Sequence, residues 1–447
     1  MKQTNLFSSF LLLISMFFCT INVYAQDKEP YAVLNEDGTV LTFYYDEMKS
    51  VRDGMGVGPF SEDVLPDWVY VEKQFSITTV VFDAAFDDCT NLTSTASWFY
   101  GCNDLIEIKG LEYLHTDNVT DMSYMFCGCY RLNNIDVSGF KTNKVTNMAG
   151  MFADCSNFTL LDVSGFKTDN VISMQSMFRE CYNLTVLDVS DFKTNNVTDM
   201  FDMFYDCSSL MALDVSGFKT DKVTNMSGMF TRCSGLTTLD VSAFNTEKVE
   251  SMGGMFYGCS NLTSIDVSDF KTDMVREMGA MFTNCYRLTT LDVSGFNTEK
   301  VETMESMFYG CSSLTILDLS NFYTGNVCDM RWMFNECTNL NTIYVGDGWS
   351  TVSVITNGLR VLMFVGCNNL VGGAGTIYDP LHTEYDYARI DGGAEAPGYF
   401  TYKELTGIQS IKSCNRNPSV VYNLSGIRSS APQKGINIIG GKKVIVK

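Results

Sequence analysis

Histidine is almost missing. The 447 residues hold two, His115 and His382, which leaves Ser-His-Asp and Cys-His catalysis with almost no raw material. Glycine spacing of the P-loop or Rossmann kind does not follow any strand-like run. Basic charge is scarce: 31 Lys and Arg stand against 52 Asp and Glu, a formal charge of -21. That balance disfavours nucleic acid and anionic membrane surfaces and tolerates cationic partners or metal ions. Past the first 25 residues no apolar run is long enough for a membrane helix. The opening "MKQTNLFSSFLLLISMFFCTINVYAQ" places Lys2 before a short apolar stretch, Leu6 to Phe18, and small-residue cleavage chemistry at Val23-Tyr24-Ala25. This is the pattern of an export signal over residues 1–25, with a mature chain from Gln26. Phe18 ahead of Cys19 argues against lipidation there.

What is present is a repeat. Asp136, Asp162, Asp188, Asp214, Asp240, Asp266, Asp292 and Asp318 recur every 26 residues, as do the cysteines from Cys129 to Cys337. One unit reads T-x-x-V-x-x-M-x-x-M-F-x-x-C-x-x-L-x-x-L-D-V-S-x-F. In the copy from Thr168 the intervals from Val171 to Cys181 suit one face of a short helix, and Leu187 to Ser190 alternates as a short strand. A unit this small cannot bury its own apolar stripe, so copies must stack. The fold expected is an α/β repeat: a leucine-rich-repeat solenoid with a parallel β-sheet on one face and short helices on the other. Eleven units ending in Cys102 through Cys367 would extend about 50 Å at strand spacing. Shortened units at the front, and Tyr344 in the Asp slot at the back, mark the ends. The organisation expected is a hairpin and capping segment at 26–72, the repeats at 73–371, a Gly- and Tyr-rich cap at 372–403 and a tail at 404–447.

The V-x-x-M-x-x-M-F-x-x-C-x-x-L-x-x-L-D-V-S-x-F unit resembles the repeat of the BspA-like leucine-rich-repeat surface proteins of anaerobic bacteria, over about Val80 to Leu370. The flanks "YAVLNEDGTVLTFYYDEMKSVRDG" and "GGAGTIYDPLHTEYDYARIDGGAEAPGYFTY" resemble segments of Bacteroidetes-type members. The resemblance implies an adhesin on the cell surface or secreted, binding a host or bacterial surface protein. It carries over no catalytic residues and no cofactor. The end, "VVYNLSGIRSSAPQKGINIIGGKKVIVK", resembles type IX sorting tails but is short for one, and an ordinary terminal hairpin is the other reading. A structural surface-layer or glycan-contacting role is the alternative to the adhesin.

Three ladders compete as sites. The cysteines are read as small buried core residues rather than disulfides or metal ligands. The methionines, beside Phe at helical spacing, are read as core filling. The aspartates project outward at strand spacing, where neighbours repel by roughly 1 kcal/mol. Either Ser hydroxyls, backbone N-H groups and Lys141, Lys167 and Lys219 offset this locally, or divalent cations or a basic partner do. The Asp ladder is therefore one candidate binding face. The other is the variable surface carrying Tyr205, Tyr257, Tyr309 and Trp332, where exposed aromatics are efficient contact residues.

Overall fold

The computed structural model describes residues 27–61, 64–70, 77–354 and 361–404, with the backbone of four short strands between 421 and 446. The leader, Cys19 and Cys414 lie outside the described residues.

The chain opens with a hairpin, β1 (Glu29–Leu34) against β2 (Val40–Asp46). Its turn is closed by Asn35, whose Oδ1 accepts the N-H groups of Thr39 and Val40 at 2.8 and 2.9 Å. β3 (Met55–Gly56) adds to β1, and β2 continues in parallel to β4 (Thr79–Phe82) and β5 (Glu107–Lys109). Beneath this sheet Phe43, Phe82, Trp68 and Trp98 form a buried aromatic plug. The Trp68 indole donates to the Trp98 carbonyl at 2.7 Å, and the Trp98 indole to that of Val57 at 3.0 Å. The plug covers the first coil with groups that leave no indole N-H unmatched.

From Ser94 onward each 26-residue unit is one coil hydrogen-bonded to the next. Parallel bridges join Ser94, Asp121, Asn147, Ser173, Asp199, Asn225, Ser251, Glu277, Thr303 and Asp329 in succession. These bridges lie in the V-x-x-M segment, where a helix was expected, and no helix forms there. The reason is backbone geometry. Met148, Gly150, Phe152 and Asp154 send their N-H groups to carbonyls of Ser173, Gln175, Met177 and Arg179 in the following coil, while Met151, Ala153 and Cys155 bond three residues back. Residues immediately before the second Met and before the Cys take φ near +55°, as at Ser176, Glu180, Asp202 and Asp206. A helix requires negative φ throughout, and these slots alternate out of it. Glycine fills several of them; at Gly228, with φ +65°, a Cβ would run into the Asp202 carboxylate.

The expected strand at L-D-V-S is also revised. It forms only towards the ends of the array: at the front as β5, where Ile108 and Lys109 hold the Leu and Asp slots, and at the back as β6 (Ile316–Leu319) and β7 (Thr342–Val345), to which β8 (Phe400–Tyr402) of the cap adds in parallel. In the middle of the array a single bridge, Leu160 to Val186, remains. The inward and outward alternation survives: Leu187 and Val189 are buried and Asp188 is exposed. There the Asp side chain folds back onto its own backbone, and Phe192 N-H closes a turn on Val189. Local turns thus engage backbone groups that a strand ladder would use.

The core is one continuous cluster of Val, Met, Phe, Cys and Leu slots. Phe152, Phe178, Phe204, Phe230, Phe256, Phe282, Phe308 and Phe334 stack along the array at 5.6 to 6.0 Å with planes within 14° of parallel. The cysteines of the ladder are free and buried. Each thiol from Cys129 to Cys367 points at the Phe carbonyl of the preceding coil, at 3.0 to 3.4 Å. Burial pushes these thiols up, Cys102, Cys259 and Cys337 to about 12. Ladder cysteines should therefore resist alkylation by iodoacetamide until the chain is unfolded, with Cys328, only half-buried, modified first among the described thiols. Peptide mass spectrometry showing labelled Cys207 or Cys233 in the native protein would contradict this.

A second polar ladder was not foreseen. Buried Thr142, Thr168 and Thr194 each donate to a Lys carbonyl in the next coil and accept the same Lys backbone N-H. At the far end Phe400 packs on Phe334, Phe364 and Trp349. Buried Asp391 ties that segment together by accepting from Ala374, Thr376 and Gly393. The tail contributes β9 (Val421–Asn423), β10 (Arg428–Ser429), β11 (Gly435–Ile439) and β12 (Lys442–Val446), an antiparallel sheet in the order β10-β9-β11-β12.

Candidate functional site: an acidic aromatic groove

The Asp ladder stands on one exposed edge, with Asp318 half-buried at its end. Oδ1 of each of the eight accepts the N-H of the Ser two residues on, at 2.9 to 3.1 Å. In five of them it also takes the Ser hydroxyl at 2.7 Å. Those hydroxyl and backbone bonds hold Asp162, Asp188, Asp214, Asp240 and Asp266 below the ordinary carboxylate range. Lys403 pairs with Asp318. Among the described residues no three acidic, His or Cys groups converge on one point.

The opposite, variable surface is more structured. Over the coils at 153–206 the Arg179 guanidinium lies 4.4 Å from the centre of the Tyr205 ring. It pairs with Glu180 at 3.0 Å and with Asp202. Asp154 and Glu180 share a hydrogen bond: burial and then the Glu180 charge push Asp154 up. Burial opposes ionisation of Glu180 too, but bonds from Tyr182 and Arg179 outweigh it and hold Glu180 down. Asp202 has a side chain only 7% exposed, and burial raises it to about 6 even though Arg179 pulls the other way.

This gives a pH signature of defined sign. A carboxyl at about 6 in the folded chain and near 3.8 unfolded binds its proton more tightly when folded, so its stabilising contribution is complete below about 4 and is lost as pH rises through 6. Asp202→Asn keeps a neutral side chain at every pH. Its melting temperature should exceed the parent's at pH 7.5, by an amount on the order of 1–3 kcal/mol in stability, and match it at pH 4. A difference independent of pH would remove Asp202 as the cause.

Farther along the same surface the coils open into a groove of about 790 Å³. Its wall carries the rings of Tyr257, Tyr309 and Trp332, the carboxylates of Glu277, Glu305 and Glu336, and apolar Leu362 and Val365. Three of the four aromatic residues singled out from the sequence therefore line one groove. Tyr205 is apart from it, under Arg179. Trp332 sits in a slot filled in other coils by Gly150, Ser176, Gly228 or Ser306 and in one by a second aromatic residue, Tyr124; its φ is +59° and the residue is 41% exposed. A bulky residue in that conformation is a backbone outlier. Glu277 takes the Ser251 hydroxyl at 2.8 Å, and Glu305 lies 3.4 Å from Arg331, which is itself clamped by Asp329. The three glutamates were missed because they occupy different repeat slots; only stacking brings them to one wall. His115 pairs with Asp87 at the front and His382 stacks on Tyr387 at the back, so the two histidines are at opposite ends of the chain.

Coil stacking with a solvent-facing aromatic groove defines a class of repeat protein. Residues 93–211, 182–290 and 261–370 each match the family described as "Mycoplasma protein of unknown function, DUF285". Together these segments cover more than half of the chain, and the protein belongs to that family. No curated protein matches. Among solved structures, a leucine-rich repeat protein from Bacteroides ovatus is similar at 19% identity, covering 67% of this chain and 78% of that one, with a TM-score of 0.32. A leucine-rich cell surface protein from Faecalibacterium prausnitzii shows 16% identity, coverage of 71% and 86%, and a TM-score of 0.34. A leucine-rich repeat protein from Eubacterium ventriosum shows 17%, 76% and 94%, and 0.29. Superposition this loose transfers no site. Among the described residues no helix is long and apolar enough to cross a membrane.

Proposed function

We propose that this chain is an exported, non-catalytic leucine-rich-repeat solenoid of the BspA-like kind that acts as an adhesin or protein-binding scaffold at the cell surface. Residues 1–25 serve as its export signal, 26–72 and 372–403 close the two ends of the repeats, and the tail from 404 takes part in sorting or anchoring. The observation that supports binding most is Trp332: a large ring held exposed, at positive φ, in a groove shared with Tyr257 and Tyr309. The non-catalytic part of this reading is supported by the scarcity of histidine: the two present, His115 and His382, are engaged at different ends of the array.

The test is a binding screen of the chain from Gln26 against matrix proteins, bacterial cells and polysaccharides. Saturable binding to a protein is expected, and Tyr309→Ala with Trp332→Ala should weaken it by about a hundredfold, the usual weight of two aromatic anchors. Binding that survives this double substitution would move recognition elsewhere on the array. Binding confined to polysaccharides would favour the glycan-contacting alternative.

A further inference from the structure

We infer that the groove recognises an arginine side chain on an exposed segment of a partner protein. The inference rests on the groove being the binding site and adds the chemistry of what it binds. The chain itself supplies the template. Tyr205, Tyr257 and Tyr309 occupy one repeat slot at intervals of 52 residues. Over Tyr205, the residue one coil earlier is Arg179, and its guanidinium stacks on the ring between the carboxylates of Glu180 and Asp202. One coil before Tyr257 and Tyr309 the same slot holds Thr231 and Thr283, whose hydroxyls are turned to the carbonyls of Gly254 and Ser306. Among the described residues no cation lies over the ring of Tyr257 or Tyr309, whereas the third ring of the groove, Trp332, has the Arg331 guanidinium 5.5 Å from its centre; the free faces are those of the two tyrosines.

The template's carboxylate slots are not repeated here, being Arg232 and Gly254 at Tyr257 and Asn284 and Ser306 at Tyr309; the negative charge of the groove comes from other slots. Glu277, Glu305 and Glu336 give the wall three carboxylates and no lining residue is basic. Of these only Glu305 meets an arginine of the chain, at 3.4 Å. A guanidinium offers five N-H donors, no acceptor, and a flat face for Tyr or Trp. A formal charge of -21 on the chain adds long-range attraction for a basic segment. Sugars would use the same rings but gain less than a cation from three carboxylates of which one, Glu305, meets an arginine of the chain, so the charge decides for the cation.

The experiment titrates the chain from Gln26 with four probes: blocked hexa-arginine, hexa-lysine, hexa-citrulline and cellohexaose. The readout is tryptophan fluorescence: Trp68 and Trp98 are fully buried, Trp349 is half-buried and Trp332 is exposed, and Trp332→Phe identifies its share of the signal. Hexa-arginine should bind, with affinity falling as salt rises, and hexa-citrulline, of the same shape without charge, should bind about tenfold or more weakly. Glu277→Gln with Glu336→Gln should cost about tenfold or more. Asp37→Asn with Asp117→Asn removes the same charge from exposed sites outside the groove and should leave affinity unchanged. The inference fails if citrulline or cellohexaose equals arginine, if lysine binds more tightly, if the two charge variants weaken binding equally, or if hexa-arginine does not bind. Trp332-dependent binding of cellohexaose alone would keep the groove as the site while overturning the cation. No probe altering Trp332, together with an unaffected ligand from the screen in the Trp332→Ala chain, would overturn both.

Discussion

Thr194→Val is expected to destabilise the array by about 1–3 kcal/mol, although it exchanges one hydroxyl for a methyl of nearly the same size. Thr194 is fully buried. Its Oγ1 donates to the Lys219 carbonyl at 3.0 Å and accepts the Lys219 N-H at 2.7 Å. Valine preserves the shape but takes the hydroxyl from both Lys219 backbone groups, and each part-buried bond lost costs about 0.5–1.5 kcal/mol. Thr194→Ser keeps both bonds and loses only a methyl group, worth about 1 kcal/mol. Urea unfolding of the three proteins separates these effects. Valine and serine variants of equal stability would show that the hydroxyl bridge between coils contributes nothing.

Spacing alone carried the stacking. The unbroken 26-residue interval of Asp, Cys and Met slots required near-identical coils, and Phe178, Met177, Cys181 and Leu184 are all buried where the pattern put them. The local conformation was misread for a physical reason. Inward residues at intervals of three, three, one and three satisfy a helix, but they also satisfy consecutive three-residue turns whose alternate N-H groups leave for the next coil. The discriminating signal was present in the residues between. Gly, Ser, Asp and Asn recur just before the second Met and just before the Cys, and they tolerate the positive φ found there.

At the L-D-V-S segment the alternation was legible and the hydrogen bonding was not. Ser two residues after Asp is as typical of a local turn as of a strand, and the Asp side chain chose the turn. The Thr that opens each unit went unread because its partners are backbone atoms 25 residues away, which no composition reveals. Trp332 was identifiable as one of two aromatic residues, with Tyr124, in a slot otherwise held by small residues and Asp202. Glu336 shares its coil, but its alignment with Glu277 and Glu305 needed the coil pitch, since those two come from earlier coils.

Phe204→Ala should be the most damaging single change, about 3–5 kcal/mol, and its consequence should be local. The ring is fully buried between those of Phe178 and Phe230, at 5.8 and 5.7 Å and nearly parallel to both. Truncation therefore weakens two coil interfaces at once and leaves a cavity that rigid neighbours cannot close. In a stacked array each coil contacts only its neighbours, so stability is a sum of coil and interface contributions, and a loss in the middle uncouples the two sides. Hydrogen exchange reads this directly. The N-H groups of Phe178 and Phe204, bonded to Met203 and Met229 at 3.0 Å, should exchange faster in the variant, while that of Phe308, bonded to Met333 at 3.0 Å, should keep its protection. Thermal unfolding should change from one step to two. Phe204→Leu, which still fills most of the space, should cost about 1 kcal/mol and keep the single step. Equal acceleration of exchange at Phe178, Phe204 and Phe308 would show that the coils unfold only together, and the nearest-neighbour account of the array would fall with it.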